Sequence, residues 1–218
     1  RQTIIDSFYN GYGIPAGGFL SYTSAFYEEQ PVQHDPEKGA QLIREVVGDQ
    51  EVELRFLLPS GDVNRYPYQE EAEYIQALLE NIEGTNIKVS IQQMDWGPCK
   101  DEMKAGNYNM CLKIQGLPSA NPFSLFKGFM HTEGSTNINY GLGYHNDHVD
   151  ALIEEATTCL DADRLTEIYK ELQEISATDF PNIPVLYSQE VVASSSDITG
   201  YQATVYGLTG YTQVCWAK

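Results

Sequence analysis

Between Glu51 and Gly116 the sequence changes hydrophobic period from segment to segment in a fixed alternation, and this limits the fold more than any other feature. "EVELRFLLP" turns Val52, Leu54, Phe56 and Leu58 toward one side, as a strand does. "PYQEEAEYIQALLENIEG" spaces Ala72, Ile75, Leu78, Leu79 and Ile82 at intervals of three and four, as a helix does. "NIKVSIQQMD" alternates again at Ile87, Val89 and Ile91, "WGPCKDEMKAGN" predicts a short helix, and "YNMCLKIQG" a further apolar strand. Two consecutive strand-helix-strand units favour parallel strands joined by right-handed crossovers. The chain is therefore expected to be α/β, with ligands at the carboxyl ends of its strands. The segment "IQGLPSANPFSLFKGFM" leaves one of those ends, which makes it the first candidate for a ligand-contact loop.

The flanking segments read as additional layers. "DPEKGAQLIREVVGD" has Asp35 as N-cap and Pro36 at the first helical position, with Ala40, Ile43, Val46 and Val47 as its apolar residues. After the loop, "FSLFKGFM" predicts a short helix and "HTEGSTNINYGLGYHN" a polar, Gly-rich loop. "HVDALIEEATTCL" follows with Val149, Leu152, Ile153 and Ala156 on one face. "DADRLTEIYKELQEISATD" has Asp161 as cap and Leu165, Ile168, Tyr169, Leu172 and Ile175 as its stripe. The segment "YNGYGIPAGGFLSYTSAFYEEQPVQ" is expected to be an ordered surface stretch, and the last forty or so residues short strands broken by Pro, Ser and Gly.

Charge removes whole classes of partner. Thirteen Lys and Arg stand against 31 Asp and Glu, a formal net charge of −18 with no basic cluster. Nucleic acid and anionic membrane surfaces are excluded, because both are bound through cations. No apolar run of about 18 residues could span a bilayer, and "RQTIIDSFYNGYG" lacks the apolar core of a signal peptide. Cys99, Cys111, Cys159 and Cys215 contain no C-x-x-C pair. Their even number fits disulfides in an oxidising compartment and separate buried thiols equally.

Enzyme signatures are missing: there is no phosphate loop, no G-x-S-x-G elbow, no H-E-x-x-H and no G-x-G-x-x-G between strand and helix. Abundant carboxylates suggest a glycosidase only if two of them face a cleft, and no spacing singles out a pair. In "YHNDHVD", His145 and His148 stand at i, i+3 beside Asp147 and Asp150, a possible metal cluster. The same letters describe a helix start capped by Asn146 or Asp147, the favoured reading. His131, alone after "KGFM", and His34, before a helix cap, are read as solvated loop residues, with His131 and His145 as weak metal candidates. No resident metal or cofactor is expected. Tyr is common, with 15 residues, nine of which cluster in "YNGYG", "SYTSAFYEE", "NYGLGY" and "GYQATVYGLTGY", and the set favours a recognition protein.

The order of segments resembles a known family. "DPEKGAQLIREV", "VELRFLLPSG", "EEAEYIQALLENIEGTNIKVSIQQMDW" and "DEMKAGNYNMCLKIQG", followed by "NPFSLF", "NYGLGYHNDHVDALIEEA", "DADRLTEIYKELQEI" and "FPNIPVLYSQEVVA", resemble the carboxyl-terminal lobe of family 5 solute-binding proteins. These are the dipeptide, oligopeptide and nickel receptors of ABC importers. The resemblance implies a type II periplasmic-binding-protein-like lobe, with a mixed sheet of strand-helix-strand units and flanking helices, formed by residues 1–218 as one unit. It also implies a partnering amino-terminal lobe absent from this chain, a monomer outside the cytoplasm as a periplasmic or lipid-anchored cell-surface protein, no enzymatic activity, and delivery of a small solute, a peptide foremost, to a permease. The rivals in other classes are an extracytoplasmic hydrolase and a signalling receptor domain of the same fold.

Residue by residue, the resemblance places the ligand wall at Gly116, Leu117, Pro118, Ser119, Ala120, Asn121 and Phe123. Trp96 joins from the preceding strand end, and Tyr140 and Tyr144 from the later loop. Peptide-binding relatives carry an Asp four residues before the Pro aligned with Pro122, where it pairs with the peptide's amino group. Here Pro118 stands in that place, and neither it nor Ser119 supplies the carboxylate a desolvated ammonium needs. Nickel-type relatives carry an aromatic near Gly116 or Ala120 and a metal-contacting His after the Pro; here those positions are small and His131 is the His of the region.

Overall fold

A computed structural model describes residues 1–31, 34–116, 120–189, 193–201 and 213–217. In chain order the first elements are α1 (Gln2–Phe8), β1 (Ile14–Pro15), α2 (Pro36–Val47), β2 (Glu51–Pro59), α3 (Ser60–Val63) and α4 (Tyr68–Glu80). Then come β3 (Asn86–Met94), α5 (Trp96–Lys104), β4 (Met110–Cys111), α6 (Phe123–Met130), α7 (Ser135–Asn139), α8 (Asp147–Thr158) and α9 (Ala162–Asp179). Three short strands close the chain: β5 (Leu186–Tyr187), β6 (Ile198–Thr199) and β7 (Cys215–Trp216).

The expected alternation forms a parallel sheet of order β3-β2-β4, so β2 is central. β2 and β3 pair along their whole length, from Glu51 opposite Asn86 to Pro59 opposite Met94. β4 joins the other side of β2 at Phe56 opposite Met110 and Leu57 opposite Cys111. Antiparallel pairing occurs in separate ribbons, β1 with β5 and β6 with β7.

Both faces of β2 are covered, which the alternating pattern alone did not reveal. Phe56 and Leu58 pack with Tyr68 and Ala72 of α4 and with Ile87 and Val89 of β3. Leu57 points the other way, into Cys99 and Met103 of α5. Each of the three β2 side chains is at most 2% exposed, and burying such a residue stabilises by about 1.5–3 kcal/mol. A second core joins Leu20 to Leu125, Phe126, Phe129 and Met130 of α6, to Val149, Leu152, Ile153 and Ala156 of α8, and to Ile168, Tyr169 and Leu172 of α9. The apolar stripes of α8 and α9 thus meet as their spacing requires. Leu20, fully buried, draws the Tyr-rich stretch read as surface into this core.

Three expectations need revision. The strand over "YNMCLKIQG" shortens to Met110–Cys111, because its ladder partner is β2 and that pairing ends at Leu57. The loop "HTEGSTNINYGLGYHN" contains helix α7. The helix α2 forms with Asp35 Oδ1 accepting from the Lys38 N–H at 2.9 Å, yet none of its residues is buried, and Val46 is 83% exposed. Its apolar side overhangs an open groove of ≈ 310 Å³ formed with Val52, Leu54, Leu79 and Ile87.

Caps follow the sequence closely. Asn146 Oδ1 accepts from the His148 and Val149 N–H groups at 3.1 and 3.3 Å, and Asp161 Oδ1 from those of Asp163 and Arg164 at 2.9 and 3.1 Å. Asn146→Ala leaves two N–H groups at the start of α8 without a partner and should cost about 1 kcal/mol. Urea titration checks this, and an unchanged midpoint would refute the cap's contribution.

Glu71 of α4 is 2% exposed, and its Oε1 has no hydrogen-bond partner. Burial pushes its carboxyl up from the ordinary carboxylate range against the opposing effect of the hydrogen bond from Tyr9. The folded state therefore holds the Glu71 proton more tightly than the unfolded chain, so this group's contribution falls as pH rises from the unfolded value through the folded one. Glu71→Gln should gain about 1 kcal/mol at neutral pH and little near pH 4, read from chemical denaturation at both pH values. A gain equal at the two pH values would show that the carboxylate charge is not the cause.

Candidate functional site

β2, β3 and β4 all end on one edge of the sheet, at Pro59, Met94 and Cys111, and the chain leaves that edge into α3, into α5 and into the loop beginning at Leu112. Parallel strands place these exits side by side. Trp96, two residues past β3, is 39% exposed and stands edge-on to Tyr140, with ring centroids 6.0 Å apart at 87°. Lys113, two residues past β4, lays its Nζ over the Trp96 ring at 3.9 Å from the centroid and 5.9 Å from that of Tyr140. A cation at this distance from an indole face is held by the ring quadrupole. Among the described residues no carboxylate is ion-paired with Lys113.

Tyr140 is fixed from behind. Its carbonyl accepts from the Tyr108 hydroxyl at 2.6 Å, and its ring meets Phe129 edge-on at 6.4 Å. The next residue, Gly141, has φ +58°, and a Cβ there would stand 2.2 Å from the Met103 carbonyl oxygen at the end of α5. Only glycine permits that approach. Asn137, 4% exposed, donates to the carbonyls of His131 and Tyr144 at 3.0 and 2.7 Å and accepts from the Tyr144 N–H at 3.1 Å, closing the loop from 131 to 144.

The ligand-loop candidates fall into three sets. Gly116, Ala120 and Asn121 are exposed on the segment between β4 and α6, while Leu117, Pro118 and Ser119 lie outside the described residues. Asn121 Oδ1 accepts from the Phe123 N–H at 2.9 Å and from the Tyr169 hydroxyl at 2.6 Å, which anchors the loop to α9. Phe123, half-buried, opens α6 with Lys127 Nζ 5.7 Å from its ring centroid. The structure gathers Trp96 and Tyr140 at the strand edge, together with Lys113. Tyr144 goes elsewhere: its hydroxyl donates to Asp179 Oδ2 at 2.7 Å, in an open polar depression of ≈ 610 Å³ that it shares with Tyr108, Asn109, His145 and Phe180. Asn109 precedes β4, so this depression flanks the strand's amino end.

Three of the four histidines are engaged locally. His145 Nδ1 lies 2.7 Å from Thr132 Oγ1 and its Nε2 3.4 Å from Asp147, while His148 Nε2 lies 2.6 Å from Glu171 of α9. His131 Nδ1 accepts from the Glu133 N–H at 3.0 Å, with Asp150 4.0 Å away. Among the described residues no three His, Cys, Asp or Glu side chains converge as a metal site would require. None of the helices among the described residues is long and apolar enough to cross a membrane.

Sequence reasoning overlooked Lys113. A lone cation directly after an apolar strand in so acidic a chain was the available signal. Asn137 and Gln173 were overlooked too. Gln173, fully buried, accepts from the Glu28 N–H at 3.1 Å and donates to the Phe26 carbonyl at 2.8 Å, and nothing in their local sequence marks either residue as a tie.

A parallel sheet helix-covered on both faces is that of a type II periplasmic-binding-protein-like α/β fold. The dipeptide binding protein of Pseudoalteromonas sp. SM9913, solved with Met-Leu, has this fold: its TM-score is 0.80 at 19% identity, over 99% of this chain and 42% of that one. The chain belongs to the bacterial extracellular solute-binding proteins, family 5, whose middle-region profile matches residues 1–137. It is 26% identical over 220 residues to the nickel-binding protein NikA of Staphylococcus aureus, covering 95% of this chain and 41% of that protein. Di/tripeptide-binding protein 1 of Pseudomonas aeruginosa is 24% identical over 221 residues, covering 100% of this chain and 40% of that protein. The chain thus spans about two fifths of the length of these curated relatives.

Proposed function

We propose that residues 1–218 are the carboxyl-terminal lobe of a two-lobed, extracytoplasmic solute receptor of an ABC importer. The receptor closes on a small solute bearing a carboxylate, a short peptide foremost, and hands it to a membrane permease without covalent chemistry. The observation that carries the choice of solute is Lys113, whose ammonium rests on Trp96 and beside Tyr140 at the edge where the strands end. A cation already occupying the aromatic corner favours an anionic group and leaves the ring edges for apolar side chains. Asn121 and Phe123 shape the same wall, the first by holding the loop and the second by contact.

Loss of an aspartate at Pro118 removes the simplest anchor for a peptide amino group, so recognition through the carboxylate takes its place. Two lobes share the contacts of a closed cleft, and closure shifts population toward the liganded form. Calorimetric titration of the two-lobed protein with Met-Leu and with its carboxyl-terminal amide tests the reading: the acid should bind and the amide should bind at least tenfold more weakly. Equal affinity for the two would overturn the carboxylate assignment. The 218-residue chain alone should bind Met-Leu too weakly to measure, and tight binding by it would refute the two-lobed cleft.

A further inference from the structure

Two of the four cysteines meet across the layer that carries this wall. Cys99, fully buried, faces inward from α5, and Cys111 ends β4 opposite Leu57 of β2. Leu57, Cys99 and Met103 form one buried cluster against which Cys111, Met94, Tyr108 and Tyr140 pack. Within it the Cys99 Sγ lies 4.0 Å from the Met103 Sδ and the Cys111 Sγ 3.6 Å from the Leu112 carbonyl oxygen, and the two thiols are near enough to perturb each other. Cys159 sits apart at the end of α8, its Sγ donating to the Asp161 carbonyl at 3.3 Å, and Cys215 is exposed on β7. Among the described residues the four cysteines therefore divide into one neighbouring pair and two thiols that stand apart from it.

We infer that Cys99 and Cys111 join in an intrachain disulfide when the protein folds in an oxidising compartment, stapling α5 to β4. The bond forms by exchange with a small disulfide such as oxidised glutathione. One cysteine, as thiolate, attacks a sulfur of the reagent and releases the first glutathione thiol. The second cysteine, after losing its proton, attacks the mixed disulfide and releases the second. The two cysteine sulfurs are oxidised, the reagent disulfide is reduced to two thiols, and the two cysteine protons are taken up by the released thiolates.

Burial pushes both thiols up, Cys111 to about 12, so neither is a competent nucleophile once α5 has closed over the sheet. The exchange belongs to folding, before the cluster is sealed, and the finished bond is shielded from reductants. Trp96 lies one helical turn before Cys99 and Lys113 two residues after Cys111, so the staple also fixes the two segments that make the cation–π contact. That consequence rests on the ligand wall proposed above, whereas the cross-link itself does not.

Peptide mapping by mass spectrometry decides the matter without any ligand. The full chain, secreted into a bacterial periplasm, is denatured and alkylated before and after reduction. Cys159 and Cys215 should be alkylated without reductant, while the peptides carrying Cys99 and Cys111 should appear linked, two hydrogens lighter than their sum and separable by reductant. The double variant Cys99→Ser, Cys111→Ser should lack the linked species and keep two alkylated thiols. Free alkylation of Cys99 and Cys111 in the unreduced wild-type chain, or pairing of either with Cys159 or Cys215, would overturn the inference.

Discussion

Lys113→Ala should weaken binding of Met-Leu to the two-lobed protein by about ten- to a hundredfold, the worth of a hydrogen bond to a charged group. Binding of the dipeptide amide should change little, because its carboxamide carries no negative charge for Lys113 to meet. This pairing of variant and ligand isolates the ammonium–carboxylate contact from general damage to the wall. Lys113→Arg should retain most of the affinity, since a guanidinium both stacks on indole and pairs with carboxylates. Lys127→Ala, whose cation lies over Phe123 on α6, serves as a control at a neighbouring charge. Equal loss for acid and amide would assign Lys113 to propping Trp96, and the carboxylate would have to be sought on the other lobe.

Gly141→Ala should be the most damaging of the loop substitutions. Its φ of +58° costs any other residue roughly 1–3 kcal/mol. The new Cβ would in addition meet the Met103 carbonyl oxygen at 2.2 Å, backbone that cannot swing aside as a side chain can. A total loss of about 3 kcal/mol lowers the melting midpoint of a chain of this size by roughly 6–12 °C. Gly143→Ala is the natural comparison, because φ is +67° there too but nothing lies within 4 Å of the added atom. Scanning calorimetry should rank Gly141→Ala well below Gly143→Ala, and equal midpoints would show that the packing of the loop against α5 is not what demands glycine. Since Tyr140 is the adjacent residue, Gly141→Ala should also disturb the Trp96–Tyr140 corner.

Much of the fold was legible because its causes are local. The alternation in "EVELRFLLP" and "NIKVSIQQMD", the helical spacing in "HVDALIEEATTCL", and the caps at Asp35, Asn146 or Asp147, and Asp161 each depend on a few neighbouring residues. The structure refines these readings and chooses Asn146 over Asp147 as the cap of α8. What was illegible depends on partners distant in sequence. The exposure of α2 follows from how far it overhangs the sheet, and the shortness of β4 from where its partner β2 stops pairing. Helix α7 hides in a stretch whose Gly, Ser, Thr and Asn residues carry no apolar period.

The candidate site divides along the same line. Trp96, Tyr140 and the loop from Gly116 to Phe123 were named as candidates from strand ends and from resemblance, and the structure brings Trp96 and Tyr140 together. The separation of Tyr144 from that group was not, because the hydroxyl's partner, Asp179, is at the far end of α9. Lys113 was passed over because a single lysine carries no periodic signal, and only the Trp96 ring beneath its Nζ distinguishes it.

By itself, then, the sequence determined the α/β class, the parallel pairing implied by its strand-helix-strand order and the helix starts, and its formal net charge of −18 argues against polyanionic partners. The tertiary structure decided which cysteines are neighbours, which tyrosine stands with Trp96, and where Lys113 comes to rest. Periodicity and capping are properties of a dozen adjacent residues, whereas a site at the edge of a parallel sheet is assembled by crossovers that bring separate chain segments side by side.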